Sequence, residues 1–105
     1  MRKVKEKINF NQEQLDNSTD ILRALAHPLR IKILSFIDQN DEINVNKIYN
    51  TLDLEQSITS QHLSVLRNAG LVQTNRDGKF VQYSIDYQKI DRAVHDIKSF
   101  LRSEN

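Results

Sequence analysis

Cysteine and tryptophan are absent from the 105 residues, and the chain carries one proline, two glycines and one methionine. Without cysteine there is no disulfide, no thiolate metal site, no cysteine nucleophile and no thiol switch. So little glycine and proline argues against a loop-rich all-β fold and against disorder. No apolar run approaches the roughly 18 residues that span a bilayer. The first residues, Met1-Arg2-Lys3-Val4-Lys5-Glu6-Lys7, are charged with no apolar stretch behind them, so they do not read as a secretory signal. The whole chain is 38% hydrophobic and 28% charged, ordinary for a globular protein. The length suits one hydrophobic core, since domains usually hold about 100–150 residues. The expectation is a single, mostly helical domain over residues 1–105 with a basic tail at 1–9, placed in the cytoplasm.

The formal net charge of +1 says little, but its distribution says more. Arg2, Lys3, Lys5 and Lys7 face only Glu6 at the N-terminus. Asp38, Asp41, Glu42, Asp53 and Glu55 then outweigh Lys47, and Arg67, Arg76 and Lys79 later outweigh Asp77. Separated basic patches on a near-neutral chain suit an oriented anionic partner better than general stickiness.

Hydrophobic spacing predicts a first helix from about Asn11 to Ala26, with Phe10, Leu15, Leu22, Leu25 and Ala26 on one side. His27-Pro28 breaks it, because proline disfavours helix in the residue before it and suits the first turn of a new one. The second helix runs from Pro28 to about Gln39. Leu29, Ile33, Phe36 and Ile37 are spaced for burial, and Ile31 and Leu34 widen that face. A short strand at Ile43-Asn44-Val45 and a short helix from Asn46 to Leu52 follow, then a turn from Asp53 to Ser57. The next helix spans Ile58 to Ala69, with Ser57 as its N-cap and Gly70 as its left-handed stop.

After Gly70 the spacing changes to that of strands. Leu71–Arg76 and Lys79–Ile85 flank Asp77-Gly78, which reads as a type I′ hairpin turn with both central residues at positive φ. Val81, Tyr83 and Ile85 alternate with Gln82 and Ser84, so one face packs inward. The last helix, Asp86 to Arg102, carries Ile90, Ala93, Val94, Ile97, Phe100 and Leu101 at helical spacing, with Asp86 as N-cap. The order α-α-β-α-α-β-β-α is that of a winged helix-turn-helix: mostly α with a β-hairpin wing.

The informative segment is Gln56 to Gly70. On a helix, Ile58, His62, Val65, Leu66 and Ala69 share one side, with Leu63 near its edge. The opposite side presents Thr59, Ser60, Gln61, Ser64, Arg67 and Asn68. Hydroxyls and amides at the N-terminal end of a helix match what a DNA major groove offers, since Gln pairs with adenine and Ser or Thr with base edges or phosphates. Ser57 stands at the helix N-terminus, itself attractive to phosphate. A polar stripe alone serves equally well as a solvated face. Here a short helix precedes it, and a hairpin whose turn is flanked by Arg76 and Lys79 follows it. These two charges fit a minor groove or phosphates, although charged hairpin tips also guard against edge aggregation.

Leu22-Arg23-Ala24-Leu25-Ala26-His27-Pro28-Leu29-Arg30-Ile31-Lys32-Ile33-Leu34, Ser57 to Val72, and the hairpin Arg76 to Ser84 together resemble the ArsR/SmtB family of bacterial winged-helix repressors. The likeness covers about residues 15–101. It implies a homodimer joined through the first and last helices and a fourth helix that reads operator DNA. Thr59, Ser60, Gln61, Ser64 and Arg67 would then face DNA. The last helix independently has a stripe wide enough for both a core and a partner. Ile90, Val94, Ile97 and Leu101, with Phe100, would meet Leu15 and Leu22 of the first helix, with Phe10, across a two-fold axis. Two recognition helices would then lie about 34 Å apart on a near-palindromic site.

The chain departs from the family's metal sensors. Thiolate sensing of arsenite or soft metals is excluded by the missing cysteines. The last helix offers Asp91, His95 and Asp96 but one imidazole, where a transition-metal site normally uses more. A His/carboxylate metal-responsive repressor stands as an alternative. His27 and His62 read as makers of structural hydrogen bonds. No catalytic constellation, glycine-rich phosphate loop or cofactor motif is present, so neither enzyme activity nor a cofactor is expected. The expected partners are double-stranded operator DNA and a second copy of the chain, not a membrane. An organic ligand, a partner protein or no effector at all are equally open. A winged helix used for protein contact is the other alternative, which the lack of an apolar anchor on the polar face disfavours.

Overall fold

The computed structural model describes residues 12–102. Among them the elements run α1 (Gln12–Leu25), α2 (Pro28–Asn40), β1 (Glu42–Asn44), α3 (Val45–Leu52), α4 (Gln56–Asn68), β2 (Val72–Asp77), β3 (Phe80–Ile85) and α5 (Tyr87–Arg102). The basic tail and Phe10 lie outside the described residues, as do the side chains of Leu15, Ile97, Phe100 and Leu101.

His27 turns the chain from α1 into α2. It sits in extended backbone (φ −142°, ψ 116°) as the N-cap, and its Nδ1 accepts the Leu29 N–H at 3.2 Å. Pro28 follows at the first helical position, where its missing N–H costs nothing. One turn on, Arg30 reaches back: its Nε donates to the Ala24 carbonyl at 2.9 Å and a terminal nitrogen to that of Arg23 at 3.3 Å. Those carbonyls end α1, that of Arg23 taking only a long bond from the Ala26 N–H at 3.3 Å, so a guanidinium there completes their bonding and suits the negative end of the helix dipole. Ile33 and Ile37 of α2 are fully buried, whereas Ile31 is exposed and does not widen the buried face as expected. The residues one turn either side of Ile33 decide the core, and Ile31 falls on the opposite side of the helix.

The first strand is an integral part of the sheet. β1 pairs with β3 antiparallel, β3 pairs with β2 antiparallel, and the order is β1-β3-β2. The hairpin joins at Asp77↔Phe80, so Gly78 and Lys79 form the two-residue loop. Only Gly78 has positive φ (61°), the arrangement of a type II′ turn, so the expected left-handed Asp77 is corrected. Asp77 stays in the ladder because its partner is Phe80.

Leu71 and Val72 cross directly beneath α4. Gly70, at φ 79°, lets the Leu71 N–H bond the Leu66 carbonyl at 3.0 Å while its own N–H bonds that of Arg67 at 2.9 Å. This pair of bonds is a Schellman stop. Asp86 then fastens α5: its N–H donates to the Leu71 carbonyl, and its Oδ1 accepts the Lys89 N–H at 3.1 Å, confirming it as N-cap. The Tyr87 hydroxyl donates to Asp38, which ties the start of α5 to α2 and raises the phenol's pKa through that bond to a carboxylate. Ile21 and Ala24 of α1, Ile43, Ile48, Leu63, Leu66, Ile85 and Ala93 complete one contiguous core.

Gly70→Ala places a side chain at positive φ with its Cβ 3.1 Å from Lys89 Cε. The left-handed conformation costs a non-glycine residue about 1–2 kcal/mol. A lower urea midpoint of that size is expected, and an unchanged midpoint would remove Gly70 as the stop that aims the hairpin.

Candidate nucleic-acid interface

α3 and α4 are joined by a short turn that only a special backbone allows. Asn44 caps α3, its Oδ1 accepting the Lys47 N–H at 2.9 Å. Asp53 ends it in the left-handed conformation (φ 56°, ψ 54°), and the Leu54 N–H closes the turn on the Tyr49 carbonyl at 2.8 Å. Aspartate tolerates this region better than most residues. The turn is shorter than expected, and α4 begins at Gln56 with Glu55 at the N-cap position. Ser57 therefore lies in the first turn and is not the cap. Glu55 contributes no side-chain capping bond, and its carbonyl accepts both the N–H of Thr59 at 3.0 Å and its Oγ1 at 2.9 Å.

Thr59, Leu63 and Leu66 form the buried row of α4, each with no exposed surface. This corrects the expected inner face. Ile58 and Val65 are 40% and 38% exposed and His62 is half-buried, so that row is a flank. Thr59 does not face a ligand. Its hydroxyl bonds the Glu55 carbonyl one turn back, which satisfies a polar group that would otherwise be costly to bury. The reason is geometric: residues 59, 63 and 66 share one helical line, and α2, α3 and β2 all close on it.

With that row inside, Gln56, Ser57, Ser60, Gln61, Ser64, Arg67 and Asn68 are all exposed. Ser57, Gln61, Ser64 and Asn68 lie opposite the buried row, with Ser60 and Arg67 to one side. The helix holds no carboxylate between Gln56 and Asn68. The hairpin leaves from its C-terminal end, and both Arg76 and Lys79 are exposed, Lys79 within the turn itself. Phe80 is the exposed residue that the sequence reading passed over, 47% accessible beside Lys79. Of the expected inward face of β3, Ile85 is buried and Tyr83 packs on the core, but Val81 to Ser84 are all half-buried and do not alternate in exposure.

His62 meets His27 across α2 and α4, ring centroids 4.6 Å apart and tilted by 57°. His27 makes the structural hydrogen bond expected of it, its Nδ1 accepting the Leu29 N–H. The pKa of His62 is lowered, first by burial, then by the positive fields of His27 and Arg30. On α5, Asp91 and His95 are one turn apart and exposed, and among the described residues no group of three or more His, Cys, Asp or Glu is placed to hold a metal. No helix among them is long and apolar enough to cross a membrane.

A short helix, a tight turn, a second helix with a polar outer face and a hairpin beyond it define a winged helix-turn-helix regulator. The model for bacterial regulatory proteins of the arsR family matches residues 27–74. The transcriptional repressor PagR of Bacillus anthracis is 35% identical over 76% of this chain and 80% of its own length. Its crystal structure superposes with a TM-score of 0.70, covering 81% of this chain and 97% of PagR. The transcriptional activator HlyU of Vibrio cholerae is 35% identical over 79% of each chain. A homodimeric winged helix-turn-helix DNA-binding domain, Mb0332 of Mycobacterium bovis, shares the fold at a TM-score of 0.73 and 24% identity, covering 92% of this chain and 89% of that one. The chain belongs to the arsR family of bacterial transcriptional regulators, whose members are not enzymes.

The placement of Thr59 has a direct check. Thr59→Ala removes a buried hydrogen bond and a methyl group and is expected to cost about 1 kcal/mol or more. Ser60→Ala, one residue on and exposed, should stay within about 0.5 kcal/mol. Urea denaturation at one pH compares them, and equal costs would return Thr59 to the outer face.

Proposed function

We propose that the chain is a homodimeric repressor that reads operator DNA in the cytoplasm, with α4 in the major groove and the hairpin as a wing. The observation that carries this is the exposed face of α4, polar, free of carboxylates and closed at one end by Arg67. Ser57, Ser60, Gln61 and Ser64 offer the donor and acceptor groups that base edges accept. Arg67 follows two turns along, where it suits a phosphate better than the first bases. The N-terminal N–H groups of α4 carry no side-chain cap, which favours a phosphate there. Arg76 and Lys79 on the wing supply charge for the flanking backbone or minor groove. The repressor PagR and the homodimeric Mb0332 domain support the same reading by likeness.

The dimer is proposed through α1 and α5. Leu22 and Val94 are 50% and 45% exposed, too apolar to face water without reason on two helices that pack together. Half-buried Ile90 continues the patch, and Leu15, Ile97 and Leu101 extend it on sequence grounds. A two-fold axis there sets the two α4 helices about one DNA turn apart.

Capture of genomic fragments by the purified protein at near-physiological salt should enrich an inverted repeat. Gln61→Ala with Arg67→Ala should keep the fold and weaken binding to it by at least about tenfold, given roughly 1–3 kcal/mol for each specific base contact. Unchanged affinity would take α4 out of the interface. Val94→Asp is expected to give a folded monomer in sedimentation velocity, and a dimeric variant would place the interface elsewhere.

A further inference from the structure

The end of α1, the start of α2 and the middle of α4 come together at three basic side chains. His27 is held by its N-cap bond to Leu29, and Arg30 by two carbonyls at the end of α1. His62, half-buried on the flank of α4 between Ile58 and Val65, lays its ring against that of His27. We propose that the His27–His62 contact is a positioning device for the recognition helix, and that proton uptake there releases α4 from its operator-reading roll. The inference rests on the reading of α4 as the DNA-facing helix.

The buried row Thr59, Leu63 and Leu66 anchors one side of α4, and the imidazole pair braces the flank toward α2. A helix with its side chains is about 10–12 Å across, so a roll of about 10° moves a surface atom by about 1 Å. That shift takes a base-edge hydrogen bond out of range. Gln61 and Ser64, neighbours of His62 in the chain and on the exposed face, are the groups that a roll displaces.

The contact holds while His62 is neutral. A proton on it sets a positive charge beside Arg30, which cannot withdraw without abandoning the carbonyls of Arg23 and Ala24. The other elements packed on α4 bring Lys47 and Tyr49 on α3 and Arg76 and Asp77 on β2, and α4 itself is flanked by Glu55 and bears Arg67. Among these described groups only His27 and Arg30 act on His62, both against its charged form. Because its pKa is lowered in the folded arrangement from 6.5, any state in which α4 has moved takes up the proton more readily. The bracing is therefore complete above about pH 6.5 and is lost as the pH falls below it.

The test measures the Kd of the captured operator at pH 7.5, 6.5 and 5.5 and constant ionic strength, for the wild type, His62→Gln, His27→Asn and His95→Gln. Asparagine at 27 keeps an N-cap acceptor. Wild type and His95→Gln should weaken about fivefold or more on acidification, the lower end of common coupling strengths. His62→Gln should change less than about twofold, and His27→Asn should weaken less than the wild type, since burial and Arg30 still act on His62. General protonation adds positive charge and strengthens phosphate attraction, so the expected loss has the opposite sign from the background. Equal profiles in wild type and His62→Gln, or wild-type binding that tightens in acid, would overturn the proposal. A second arm needs no DNA: the amide NMR shifts of residues 60–67 should titrate with the His62 imidazole in the wild type and not follow pH in His62→Gln. Flat amides in the wild type overturn the device. Titrating amides in a protein that binds no fragment at any pH uphold it and remove the DNA reading instead.

Discussion

The roll of α4 about its own axis is set by Thr59, Leu63 and Leu66, and the proposed reading of DNA depends on that roll. Fully burying a leucine side chain is worth about 1.5–3 kcal/mol, so the two leucines alone make other orientations expensive. The threonine is admitted because its hydroxyl finds the Glu55 carbonyl inside the same helix. Once that row is inside, every polar side chain on the opposite face follows without further choice. The surface proposed to meet DNA is the complement of the core.

The neighbours of α4 fix where that surface points. Asp53 in the left-handed conformation brings α3 and α4 together through a short turn, and Gly70 in the same region sends the chain straight into β2. Leu71, buried at that stop, gives its carbonyl to the Asp86 N–H, so the end of α4 and the start of α5 share one backbone hydrogen bond. The proposed dimer helix and the proposed reading helix are thus separated by very little soft structure. On the other side, Arg30 joins the end of α1 to α2, and His27 joins α2 to α4. Polar contacts at helix ends, rather than long loops, connect the proposed dimer surface to the proposed DNA surface.

The chemistry at the helix junctions is basic for a physical reason. The carbonyl ends of helices attract cations, which brings Arg30 to α1, and a histidine at an N-cap offers a ring nitrogen to a free helix N–H. Placing both beside His62 yields a cluster that is comfortable only while His62 stays uncharged. The arrangement costs nothing at neutral pH and changes character in mild acid.

The amino-acid order alone accounts for the element order, the α1–α2 break at His27-Pro28, the stop at Gly70, the Asp86 cap, the wing and its exposed Arg76 and Lys79. Each depends on local backbone preference or on charge, and these act within a few residues. It also determined the likeness to the arsR family, because the motif around His62 to Val72 stands whole in the chain. Which line of α4 is buried follows from packing in three dimensions. Ile58, His62 and Val65 repeat at helical spacing as well as Thr59, Leu63 and Leu66 do, and periodicity cannot rank two rows that both fit. The packing of α2, α3 and β2 ranked them: it took a threonine inside, left two β-branched apolar residues at the edge, and set His62 against a histidine 35 positions earlier in the chain. Such contacts depend on distances through space that no local pattern encodes.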